Sequence, residues 1–248
     1  MRSLLADFLQ ATGRCESFDA PPGQPYHLDV LEALRELSHD WDRDLIGSLK
    51  AGVTTGYFEP IPASGIFHPI HGSSGSDKGD LVTCDGNWNS AEEDVVLTHG
   101  LVQREVDAGF VKEFNGSLSD ARRLWPRGVA LGKLGISHTD PQNPRLILDS
   151  TAPGVNPGVD ILEKTFNPTP ADVSATAPED DVDEDFIGFT VDVKKAHKTI
   201  RVRGDEQGLL FFQCMGKLYW YCVCHFGARF SAYWWARVGV LLQRLAHR

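Results

Sequence analysis

The sequence predicts an α+β fold, and three observations carry that expectation. An amphipathic segment over 28–50 and an apolar segment over 231–247 have helical periodicity. Between them, short apolar runs arrive in pairs separated by turn residues, as in hairpins. No run of strands alternates with crossover helices, so a doubly wound parallel sheet is not expected. With 248 residues, 42% of them hydrophobic, the chain can bury a core, and wholesale disorder is excluded.

Taken in order, residues 15–27 are rich in Pro and Gly and read as a linker. Leu28 to Lys50 places Leu31, Leu34, Leu37, Trp41, Leu45 and Leu49 at spacings of three and four, a helix broken near Ser38 to Asp40. Residues 51–89 mix Gly, Pro, Ser and Asp and read as irregular, held to the domain by Tyr57, Phe58, Ile66 and Phe67. Ser90-Ala91-Glu92-Glu93 has the form of a capping box, predicting a helix to about Ala108. Val129–Ile136 and Arg145–Thr151 flank Asp140-Pro141-Gln142-Asn143-Pro144 and predict a hairpin.

Residues 152–185 contain Pro153, Pro157, Pro168, Pro170 and Pro178 and end in the acidic run Glu179–Asp185, which reads as a solvated loop. Phe186–Val193 reads as a buried strand, Thr199–Arg203 as a short extended segment, and Leu209–Met215 with Leu218–Val223 as a hairpin about Gly216-Lys217. Ser231–His247 reads as a helix.

A formal charge of −10 argues against a nucleic-acid partner until it is resolved along the chain. Residues 1–100 carry −10 and 101–189 carry −7, whereas 190–248 carry +7. A basic face can meet phosphates although the whole chain is acidic. The five cysteines, odd in number and irregularly spaced, suggest reduced thiols and an intracellular compartment. The apolar stretch within Met1–Arg14 is too short for a secretory signal, and Ala232–Leu245 is interrupted by Arg237, so no membrane association is expected.

Several motifs fail on spacing. Gly128 and Gly132-Lys133-Leu134 lack both the spacing and the hydroxyl of a phosphate loop, which leaves Lys133 as a basic residue on or beside a strand. Cys222-x-Cys224-His225 with Cys214 offers soft ligands, but the pairing is too close for the usual zinc knuckle, and buried thiols are favoured over zinc. Asp192 ends an apolar run and is followed by Lys194, Lys195 and Lys198. A carboxylate at a sheet rim can hold a hard cation, and it can equally cap a helix or pair with a cation of the protein.

Read in series, Arg145-Leu146-Ile147-Leu148-Asp149, then Phe189–Ile200, Leu209–Phe212 and Tyr219–Tyr233 resemble the reverse transcriptase family of retroelement polymerases. The resemblance covers roughly 95–248, leaving 1–94 as an N-terminal helical and irregular extension of unassigned role. It implies right-hand polymerase fingers and a partial palm. Leu101–Phe110 with Gly109 resembles the first fingers motif, and Arg145-x-x-x-Asp149 the second. The resemblance implies that Asp192 is the first catalytic, metal-binding aspartate, joined on Mg2+ by the Val193 carbonyl. It implies that Arg145 meets the incoming dNTP and that Phe226-Gly227 supports nucleotide and template. Lys133 and His197 fall beside that nucleotide site, and Lys194, Lys195, Lys198 and Arg229 beside an RNA or DNA template-primer.

The chain departs from the family pattern at three points. His197 stands where the family has an aromatic sugar gate, His225 replaces a Pro, and no Asp or Glu follows Glu206, so the second carboxylates of a two-metal site are missing. The expectation is therefore an RNA-directed DNA polymerase fragment that is inactive by itself. The other reading is a noncatalytic nucleic-acid-binding remnant, in which Tyr219, Trp220, Tyr221, Tyr233, Trp234 and Trp235 stack bases.

Overall fold

In the computed structural model the described residues are 2–14, 17–21, 23–70, 78–166, 169, 171 and 191–246. The acidic run and Phe186–Thr190 of the expected strand lie outside them, and Val191–Val193 belong to no strand. The fold is α+β, built on a five-stranded mixed sheet.

Helices α1 (Arg2–Ala11), α2 (Leu28–Leu37) and α3 (Leu45–Ala51) come first, with α2 and α3 separated where a break was expected. A two-residue strand β1 (His68–Pro69) precedes α4 (Asn89–Glu92) and α5 (Val95–Asp107). Ser90 is not the cap of that helix. Its hydroxyl accepts from the Ile136 N–H at 3.0 Å, and Asp94 caps α5 by accepting from the Leu97 N–H at 2.9 Å. A local capping motif lost here to a tertiary hydrogen bond.

Strand β2 (Val111–Phe114) is followed by α6 (Leu118–Leu124), whose capping box is Ser117 with Asp120. Strands β3 (Leu131–Ser137) and β4 (Arg145–Asp149) form the expected antiparallel hairpin. Next come the short helix α7 (Val155–Gly158) and β5 (Glu163–Lys164), which pairs with β1. Two 3-10 turns, Ala196–Thr199 and Gly204–Leu210, lead to β6 (Phe211–Cys214), β7 (Lys217–Tyr221) and α8 (Arg229–Ala246).

The sheet order is β2-β7-β6-β3-β4, with only the β3–β6 pair parallel. The β6–β7 turn is centred on Met215 and Gly216, one residue earlier than expected. Their φ values of 49° and 74° are the left-handed backbone conformation that fits a tight turn to the right-handed twist of its strands, and Lys217 is already paired with Cys214.

Apolar residues of 28–61 are part of the same core as the sheet and the last helix. Leu28, Leu45, Ile46, Leu49, Val53 and Ile61 belong to one buried cluster with Trp234, Val238 and Leu241 of α8. Polar ties reinforce it: Arg237 pairs with Asp42, Arg244 with Asp40, and the Trp234 indole N–H donates to the Thr54 carbonyl at 2.8 Å. The extended stretch after the first 3-10 turn is clamped on both sides. Val53 N–H donates to the Arg201 carbonyl and Val202 N–H to the Cys222 carbonyl, so Ala196–Thr199 is delivered to a fixed place beside α5. Among the described residues no helix is long and apolar enough to cross a membrane.

Candidate nucleic-acid interface

A cleft of about 470 Å3 brings three distant stretches together: Arg145 at the start of β4, Asp192 to Lys198, and Phe226 beyond β7, with the end of α5 as its other wall. Arg145 is placed by strand pairing with Ser137, and its guanidinium carbon lies 5.8 Å from the centre of the Phe226 ring. Five cationic side chains (Arg104, Arg145, Lys194, Lys195, Lys198) face two carboxylates, Glu105 and Asp192. The lining is net positive.

The turn carrying Phe226 is held by its neighbours. The Phe226 carbonyl accepts from the Leu148 N–H of β4 at 3.2 Å. Asn156 of α7 donates to the Gly227 carbonyl at 2.7 Å and accepts from the Arg229 N–H at 2.8 Å. Gly227 has φ +103° and lies against the Leu148 carbonyl, where no side chain fits. No sequence signal singled out Asn156, because its role depends on a turn about seventy residues away.

Not every expected site residue reaches the cleft. Asp192 is exposed on its wall, with Val193, Lys194 and Lys195 beside it. Lys198 is 6% exposed and donates to Glu105 at 2.6 Å, so it is not a free phosphate ligand. A buried ammonium takes a carboxylate partner wherever one is in reach. Glu105 was missed because its partner is far along the chain. Lys133 lies outside the cleft, its ammonium 5.3 Å from the Trp88 ring, beside an Asp149 that accepts from the Trp88 indole. Arg229 is exposed but occupied with the Val159 carbonyl at 3.2 Å.

The aromatics of the second reading are largely internal. Tyr219, Tyr221, Tyr233 and Trp234 are buried, and the Trp220 indole donates to Gln207 at 3.0 Å while its ring stacks on Phe211. They do not form an open stacking platform.

Two histidines lie beneath the cleft. The His197 ring packs on Phe226 with centroids 5.2 Å apart, and burial, then the charge of Lys198, hold it below the usual imidazole range. His225 is buried against Tyr221, and burial pushes its pKa down to about 4. Below pH 6.5 the unfolded ring takes a proton that the folded ring accepts only near 4, so acid favours unfolding across that window. The stability lost on going from pH 6.5 to 4 is expected to be on the order of 3 kcal/mol. Urea melts over this range should show it, and His225→Phe should flatten the acid limb. An equally steep limb in His225→Phe would assign the effect to other groups.

The donors among the described residues do not fit a pair of magnesium ions. Among the described residues no three His, Cys, Asp or Glu side chains gather closely enough to hold a metal. Asp192 offers one carboxylate, and Glu105 is committed to Lys198.

No family model and no curated protein matches the chain. Among solved structures it is similar to the native prototype foamy virus protease-reverse transcriptase, at 16% identity and a TM-score of 0.44 over 71% of this chain and 20% of that one. It is also similar to a foamy viral protease-reverse transcriptase in complex with double-stranded DNA, at 14% identity and a TM-score of 0.45 over 72% of this chain and 28% of that one. The chain thus spans well under a third of the length of either.

Proposed function

We propose that the chain forms fingers and part of the palm of an RNA-directed DNA polymerase, and that its cleft receives the triphosphate of a dNTP beside a template-primer. The supporting observation is the convergence of Arg145, Asp192 and Phe226, three residues from separate motifs, on one net-positive cavity. Arg145 clamps phosphate oxygens with a planar guanidinium, while Phe226 orients that guanidinium from below. Lys194 and Lys195 neutralise further phosphate charge. His197, packed on Phe226 and held neutral, lies on the sugar side of such a nucleotide. In-line attack of a primer 3′-hydroxyl on the α-phosphate needs more carboxylate oxygens than Asp192 supplies. No step of that chemistry is therefore assigned to these residues.

Titrating the protein with a fluorescent dATP analogue tests the reading. Arg145→Ala should weaken binding by about 1.5–3 kcal/mol, roughly ten- to hundredfold, because a charge-assisted hydrogen bond is lost. Arg145→Lys should recover only part, since an ammonium cannot make the bidentate contact. Unchanged affinity in Arg145→Ala would overturn the assignment of the cleft.

A further inference from the structure

We propose that Lys198 is a reactive amine, and that the cleft lets a small aldehyde carrying a phosphate condense with it as a Schiff base. A nucleotide need not enter the cleft for this chemistry.

The amine stands where two cavities meet. Lys198, on the 3-10 turn Ala196–Thr199, lines both the cleft and a second cavity of about 510 Å3 that Gln24 and Pro25 also line. Only 6% of the residue is exposed, and its ammonium lies 5.7 Å from the centre of the Phe226 ring and 6.0 Å from that of Tyr221. Burial, opposed by Glu105 and aided by the charges of Lys195 and Arg145, holds the ammonium below the usual lysine range. A desolvated amine beside other cations gives up its proton more readily, and the freed lone pair is the nucleophile toward carbonyls.

Its partner can move protons. Glu105 accepts from Lys198 through Oε1 at 2.6 Å, and its Oε2 is buried with no hydrogen-bond partner among the described residues. That oxygen is an open acceptor next to the amine. In the condensation Glu105 takes a proton from the ammonium and the nitrogen bonds to the carbonyl carbon, while the π pair passes to oxygen. Two nitrogen protons reach that oxygen through the carboxylate, and it leaves as water when C=N forms. The product is an iminium with the same single positive charge, so Glu105 keeps its counterion and no stranded buried carboxylate results. Arg145, Lys194 and Lys195 also line the cleft, which favours an aldehyde bearing a dianion over a neutral one.

The test is incubation of the full chain near neutral pH with 4-formylphenyl phosphate and cyanoborohydride, followed by peptide mass mapping of the reduced adducts. Although Lys194 and Lys195 are exposed and Lys198 is buried, Lys198 should be modified severalfold faster than either, and its rate should rise at lower pH than theirs. Lys198→Arg keeps a cation for Glu105 and cannot form an imine, so it should lose this adduct and retain those on exposed lysines. Benzaldehyde, the same ring without the charge, should label Lys198 severalfold more slowly, each rate being taken relative to the exposed Lys112. Labelling that follows exposure, with Lys198 the slowest of the three, would mark a merely structural ion pair and overturn the proposal. Equal relative rates for the two aldehydes would overturn the anionic class of ligand. Failure of the dATP analogue to bind would leave these rates unchanged, so the two readings fall separately.

Discussion

Gly227→Ala is expected to destabilise the protein by about 3–5 kcal/mol, from left-handed backbone strain together with the hydrogen bonds that a displaced turn gives up. A Cβ there would overlap the Leu148 carbonyl oxygen and lie 3.0 Å from its carbon, and φ is +103°. The chain cannot back away cheaply, because Phe226 is hydrogen-bonded to β4 and Gly227 to Asn156. The turn also carries the aromatic ring beneath Arg145, so under the proposed function nucleotide binding should fall with stability. Urea melts should show a large drop in midpoint. Gly239→Ala, inside α8 with open space around the added carbon, should instead be stabilising by about 0.5–1 kcal/mol. A Gly227→Ala protein as stable as the wild type would mean that the turn does not lie against β4.

Asp42→Ala is expected to cost about 3–5 kcal/mol, the usual penalty when one member of a buried pair is removed and the other stays charged in the interior. Arg237 is 0% exposed, donates through Nε to Asp42 at 2.9 Å and packs over Trp234. Its other hydrogen bond among the described residues, to the Pro62 carbonyl at 3.3 Å, cannot replace the carboxylate charge. Asp42→Leu combined with Arg237→Met should recover most of the loss, since an apolar replacement of the whole pair removes the stranded charge. Melts of the single and double variants decide it. A single variant within about 1 kcal/mol of wild type would show that this contact between the α2–α3 connection and α8 is weak.

Both predictions concern places where the chain meets itself over long separations, and these are where reading the sequence falls short. The hairpin of β3 and β4 and the helix α8 were legible because apolar period and turn residues act over a few neighbours. The break between α2 and α3 was legible for the same reason. The order of motifs pointed to Arg145, Asp192 and Phe226 as companions, and they line one cleft.

The cap at Ser90 was misread because its oxygen serves the Ile136 N–H of β3, a partner invisible to a four-residue motif. Lys198 was misread as a free cation for a similar reason: its carboxylate, Glu105, arrives from another helix. Lys133 shares the charge of the cleft lysines, but its strand directs it to Trp88.

The sequence by itself determined the local elements, the hairpin pairing of β3 with β4, and the set of groups able to meet phosphate. Only the tertiary structure decided which of those groups remain free, that residues 28–61 complete the core under α8, and that Gln24 and Pro25 wall a cavity beside Lys195. The reason is physical: propensity and periodicity are properties of adjacent residues. Burial and charge pairing belong to surfaces assembled from remote ones, and these set whether a lysine is a ligand or a structural ion.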